Sequence, residues 1–187
     1  MSFEHIRLNV IEVNTFIFGC PATREAMLVD CGEFDPRIPD YVERERLQLT
    51  TIFLTHDHYD HVQGLREAAQ HFGAMVVAGT EAPGGYRADR VIRPGETVQI
   101  GTLTGRVVDT SGHTPVGLSL IFPGRVFSGD ALFAGSVGGT ASPEDYERQL
   151  GNIRANLFTL PDDTLVHCGH GPSTTIGIEK RYNPFFV

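Results

Sequence analysis

Several scarcities bound what this chain can be. It has three cysteines, Cys20, Cys31 and Cys168, an odd number without framework spacing, so a disulfide scaffold is excluded and a reducing compartment is expected. No apolar run approaches the roughly 20 residues of a membrane-spanning helix. The opening Met1-Ser2-Phe3-Glu4-His5 lacks the charged and apolar blocks of a signal peptide. The expectation is a cytoplasmic protein with no membrane partner. Positive charge is also scarce: 15 Lys and Arg against 23 Asp and Glu give a formal net charge of −8. A field of that sign disfavours nucleic acid as a partner. Repeats, low-complexity tracts and linkers are absent too, leaving a single domain, residues 1–187, as the expected organisation.

What is present reads as an ordinary globular chain, 41% apolar and 20% charged, long enough to bury a core. Strand-like runs cover Leu8 to Phe18 and Ala26 to Val29, with a turn at Gly19-Cys20-Pro21. A helix is expected over Asp35 to Leu47, its start pushed rightward by Pro36 and Pro39. Thr51 to Leu54 is a short apolar strand. From His61 the period changes to helical, with Val62, Leu65, Ala68, Ala69 and Phe72 on one face and Gly73 at the end. Met75 to Ala78 is another strand, and Val91 to Phe127 alternates short β-like runs with glycine turns. Ser142 as N-cap and Pro143 at the first helical position open a second helix with a Tyr146, Leu150, Ile153, Leu157 stripe. Thr164 to Val166 is the last expected strand. Strands interleaved with helices in two similar halves give an α/β fold of sheet layers covered by helices.

The most informative stretch is His56-Asp57-His58-Tyr59-Asp60-His61. Imidazole and carboxylate are the donors that borderline divalent ions prefer. Residues at i and i+2 of an extended segment point the same way, so His56 and His58 can grip one ion. Asp60 and His61 follow and can face a second. So dense a cluster needs ligands from other loops, and His113, Asp130 and His170, each in a glycine-rich loop, are suitable donors. His167 competes with His170, or is a core histidine. Cys168 is expected to be strand-end packing, His5 and His71 to be solvated, and Tyr59 to touch either substrate or core.

Thr55-His56-x-His58-x-Asp60-His61-x-x-Gly64, with Leu28-Val29-Asp30-x-Gly32, Gly112-His113-Thr114-Pro115, Ser128-Gly129-Asp130 and Gly169-His170-Gly171, resembles the metallo-β-lactamase superfamily over nearly the whole chain. Phe127 to Ser136, Gly169 to Gly177 and the tail Glu179-Lys180-x-x-Asn183-Pro184-Phe185 are most similar to its short glyoxalase II-like hydrolases. The resemblance implies a four-layer αββα sandwich. It implies a first metal on His56, His58 and His113 and a second on Asp60, His61 and His170, with Asp130 bridging. The ions expected are two Zn2+, though iron and manganese suit the same donors. It implies hydrolysis of a small-molecule thioester, such as S-lactoylglutathione, by a metal-bound hydroxide, with Asp60 also taking the proton of the nucleophile.

Two other readings of the same site stand beside this one: a mononuclear-iron persulfide dioxygenase, and a lactonase or other ester hydrolase. Relatives usually carry Arg and Asp in the loop where this chain has Gly139 and Ala141, and longer ones continue into a helical domain with basic residues for glutathione. A high KM for glutathione conjugates, or a preference for a different, less charged thiol carrier, is therefore expected, unless Arg148, Lys180 or Arg181 replaces the lost contacts.

Overall fold

A computed structural model of the chain describes residues 2–187. The first half forms β1 (Ser2–Arg7), β2 (Asn14–Gly19), β3 (Glu25–Val29), α1 (Arg37–Arg44), β4 (Gln48–Phe53), α2 (Tyr59–Val62), α3 (Leu65–Phe72), β5 (Met75–Ala78), one helical turn at Pro83–Gly85, and β6 (Arg90–Val91). The second half forms β7 (Thr97–Ile100), β8 (Leu103–Asp109), β9 (Leu118–Phe122), β10 (Arg125–Gly129), a small hairpin of β11 (Leu132–Phe133) and β12 (Ser136–Val137), α4 (Pro143–Asn156), β13 (Leu165–Cys168), β14 (Thr174–Thr175) and α5 (Ile176–Tyr182). No helix among the described residues is long and apolar enough to cross a membrane.

The strands make two six-stranded sheets, ordered β1-β2-β3-β4-β5-β6 and β14-β13-β10-β9-β8-β7. Three apolar clusters account for the layering. The first joins the outer face of the first sheet (Ile17, Leu28, Ile52) to Ile38 and Val42 of α1 and Leu65 and Ala68 of α3. The second lies between the sheets, where Phe16, Phe18, Met27, Val29 and Phe53 meet Val107, Leu120, Phe122 and Phe127. The third packs Val126, Val166 and Cys168 against Leu150, Ile153 and Leu157 of α4. Alternate residues of β2, β3 and β4 thus serve opposite faces, both buried, which is why these strands are continuously apolar. Helix, sheet, sheet, helix is the expected four-layer αββα sandwich.

Four boundaries differ from the sequence expectation. The run from Leu8 to Phe18 is a turn followed by β2, with Ile11 and Glu12 at φ +46° and +57°, and β1 precedes it. The first helix spans only Arg37–Arg44. The helix expected from His61 to Phe72 begins at Tyr59 and breaks into α2 and α3 at Gln63-Gly64. There the chain runs so close to the Cys31–Phe34 loop that a Cβ on Gly64 would collide with the Phe34 and Glu33 backbone. β14 and α5 follow the strand expected to be last. Gly73 ends α3 in the left-handed conformation, and α4 opens at Ser142, whose Oγ accepts from Asp145 N at 3.1 Å, as expected.

Topology sets the site. β3, β4 and β5 run parallel in the first sheet, as do β10 and β13 in the second. β8, antiparallel to β9, which is antiparallel to β10, shares their direction. The segments that leave β3, β4, β8, β10 and β13 therefore collect at one edge of the sandwich.

Candidate metal centre

All seven expected donors gather at that edge. Ligand atoms of His56, His58 and His113 lie within 4.8 Å of one another, and so do those of Asp60, His61 and His170. Asp130 lies between the two groups. Its Oδ1 is 3.3 Å from His61 Nε2, and its Oδ2 is 3.5 Å from His113 Nε2 and 3.6 Å from His170 Nε2. His113 Nε2 is 2.9 Å from His58 Nδ1, and His170 Nε2 is 3.2 Å from Asp60 Oδ2.

The backbone aims these groups. The β10–β13 register slips between Phe127 and Gly129, a bulge that turns Asp130 out of the sheet. Gly129 takes φ +52° and lies against Thr55, leaving no space for a Cβ. The loop after Asp130 is fixed from below: Gln149 Nε2 donates to the Ala131 and Gly138 carbonyls, and the buried Glu179 accepts from Gly135 N at 2.9 Å. The His170 loop is tied to the first sheet, where Asn14 Nδ2 donates to the Cys168 and Gly171 carbonyls and Asn14 N donates to Gly169 O.

A second layer of contacts fixes the imidazoles. Asp30, buried at φ +55°, accepts from Thr55 N, Thr55 Oγ1 and His61 Nδ1, each at 2.8 Å. Because the Thr55 hydroxyl gives its proton to Asp30, it accepts from His56 Nδ1 at 3.1 Å. His113 Nδ1 donates to the Gly139 carbonyl at 2.6 Å. Three histidines are thus held as Nδ1–H tautomers with Nε2 directed to the centre, the arrangement by which outer contacts orient ligands. His56 Nε2, His61 Nε2 and Asp130 Oδ1 are buried with no protein partner. Orphaned buried acceptors are costly, and a cation satisfies all three, so the donor set fits a metal.

Electrostatics favour the same occupant. Burial opposes the Asp130 charge, but the adjacent His61 and the other imidazoles around it prevail and hold its carboxyl down at about 2. Burial likewise opposes a charge on His61, yet Asp30 and Asp130 prevail and raise it to about 10. A position that attracts a proton so strongly attracts a metal cation for the same reason. Burial, reinforced by the neighbouring His61, keeps His56 well below the usual imidazole range.

Other candidates fall elsewhere. His167 is buried among Phe3, Phe16 and Phe127, away from the donor groups, with Nδ1 3.0 Å from Ser173 Oγ. Cys168 belongs to the cluster under α4, and burial raises its thiol to about 12. His71 and His5 are exposed, although His5 Nε2 meets Asn14 Oδ1 at 2.7 Å. Tyr59 is 57% exposed. Arg148 pairs with Asp145, while Lys180 and Arg181 both pair with Asp162, so each of the three already has a carboxylate partner on the surface. Sequence reasoning gave Asp30 and Gln149 no role. An Asp closing an apolar strand is a signal that could have marked the first; nothing local marks the second.

The family model of the metallo-beta-lactamase superfamily matches residues 8–170. The chain is 30% identical to the hydroxyacylglutathione hydrolase GloC of Haemophilus influenzae, across 96% of this chain and 98% of that one. It is 35% identical to the hydroxyacylglutathione hydrolase of Hydrogenovibrio crunogenus across 79% of this chain but 54% of that longer protein. Among solved structures, BLEG-1 B3 metallo-beta-lactamase superposes with a TM-score of 0.88 at 30% identity, covering 100% of both chains. ETHE1 from Myxococcus xanthus gives 0.87 at 33% identity, covering 98% of this chain and 84% of that one. TTHA1623 in a di-iron-bound form gives 0.81 at 28%, covering 97% and 99%. Differently named proteins share this fold, so the fold alone does not choose the substrate.

Proposed function

The chain belongs to the metallo-beta-lactamase superfamily, which implies a divalent metal, and from that premise we propose that it hydrolyses thioesters of the S-acylglutathione type. The observation that carries the reading is Asp130 set between two donor groups, with His56 Nε2 and His61 Nε2 buried there without a hydrogen-bond partner. His56, His58 and His113 would hold one ion, Asp60, His61 and His170 the other, and Asp130 both, since two carboxylate oxygens can span ions about 3.5–4 Å apart. Zinc is the proposed metal; iron and manganese suit the same donors, and the similarity to a di-iron protein supports a two-ion centre.

Bound there, the ions would supply a water of lowered pKa and polarise the thioester carbonyl. Asp60, 3.2 Å from His170 Nε2, would orient that water and accept its proton. The Asp30–Thr55–His56 and Asp30–His61 contacts hold the donors still while charge develops. Hydrolysis forms the bond from water oxygen to acyl carbon, breaks the C–S bond, and delivers the proton to the departing thiolate. The similarity to the hydroxyacylglutathione hydrolases of Haemophilus influenzae and Hydrogenovibrio crunogenus supports glutathione as the carrier.

Elemental analysis of the purified protein with an S-lactoylglutathione assay tests the reading. Two transition ions per chain and thioester turnover are expected, with both ions lost in Asp130→Ala. One iron per chain, with oxygen uptake on a persulfide and no thioester cleavage, would move the chain to the dioxygenase reading.

A further inference from the structure

Beside the metal centre is a cleft of about 410 Å³ lined by Asp57, Tyr59, Arg66, Glu67, Gly84 and Tyr86. Asp57 and Tyr59 flank the donor His58 in the chain, so this wall of the cleft and the donor segment are one stretch of backbone. Arg66 and Glu67 stand in the first turn of α3, and the Pro83–Gly85 turn with Tyr86 forms the far wall. The Arg66 guanidinium lies over the Tyr86 ring, 5.4 Å from its centroid, and among the described residues it has no carboxylate partner. By contrast Arg7 pairs with Glu12, Arg37 with Asp35, Arg148 with Asp145, and Lys180 and Arg181 with Asp162.

The charge pattern of the cleft is selective. A simple anion drawn to Arg66 would meet Asp57 and Glu67, and a simple cation drawn to those carboxylates would meet Arg66. A group carrying both charges on neighbouring atoms satisfies all three. An α-amino acid zwitterion is such a group, and the γ-glutamyl end of glutathione carries one. We propose that this cleft is the subsite for the α-amino acid head of the thiol carrier, an inference that rests on the thioesterase reading above. Arg66 takes the α-carboxylate through its planar fork, held in place by stacking on Tyr86. Asp57 and Glu67 take the α-ammonium, and Tyr59 covers the aliphatic arm between head and thioester. Arg66 thereby supplies, from α3, the donor fork that Gly139 cannot.

The test uses the metal-loaded protein and two thioesters with one acyl group, S-lactoylglutathione and S-lactoyl-N-acetylcysteamine, which lacks the amino acid head. The ratio of their kcat/KM values should fall about tenfold or more in Arg66→Met, as expected for a lost charge-assisted bond, with a smaller fall in Glu67→Gln. Arg66 is exposed, so its truncation leaves the core intact. In parallel, calorimetric titration with S-methylglutathione should show affinity weakened about tenfold by Arg66→Met and partly restored in Arg66→Lys. An unchanged ratio with unchanged S-methylglutathione affinity, or no binding by the wild-type chain, overturns the proposal. If wild type cleaves neither thioester, the thioesterase reading fails, and the titration still decides the cleft.

Discussion

Asp30 combines three costs: a left-handed φ of +55°, near-complete burial and a charge. Each is unfavourable alone. Its three 2.8 Å hydrogen bonds offset them and place His61 directly and His56 through Thr55. Asp30→Ala should therefore weaken metal binding by about 10–100-fold, read by competition against a chelator; unaltered affinity would reduce Asp30 to packing. His167 has the opposite character, since burial first and Arg125 second lower its pKa to about 4 from an ordinary 6.5. Between those values the unfolded chain binds a proton that the folded chain refuses. Stability is thus intact above pH 6.5 and declines as pH falls toward 4, by roughly 3 kcal/mol in full. His167→Phe should flatten that part of the stability–pH curve measured by urea unfolding; an identical slope in both proteins would show that other groups govern it.

At the scale of elements, legibility followed how local each cause is. α4 could be read because Ser142, Pro143 and the Leu150–Ile153–Leu157 stripe act within a few turns of chain. The donor cluster from His56 to His61 could be read because its spacing is its chemistry. The turn ahead of β2 could not, since Ile11 and Glu12 take positive φ without the glycine or asparagine that announces such a turn. The break between α2 and α3 arises from contact with a loop some thirty residues earlier, and β14 with α5 depends on Glu179 being buried against Thr174, Asn183 and Gly135. The support of His113 is a main-chain carbonyl at Gly139, which no side-chain pattern encodes. Position 139 therefore has a use that its missing side chain conceals: its main chain orients a donor.

The whole molecule separates what folds it from what it holds. The three apolar clusters contain none of the seven donors, so the four layers are built without the centre. The centre instead joins the segments that leave β4, β8, β10 and β13 at one edge, where like groups crowd. An ion that binds only the folded chain adds stability of RT ln(1 + [M]/Kd), about 2.7 kcal/mol when free metal is a hundredfold above Kd. For a chain of this length each kcal/mol moves Tm by about 2–4 °C, so stripping one such site should lower Tm by roughly 5–10 °C. The far-UV circular dichroism at 25 °C should stay unchanged after chelation, because both sheets keep their apolar faces. Readdition of zinc should restore Tm, which rises with the logarithm of free metal above Kd. Collapse of the far-UV signal on chelation would show instead that the edge loops nucleate the sandwich, and that the metal belongs to its folding as well as to its chemistry.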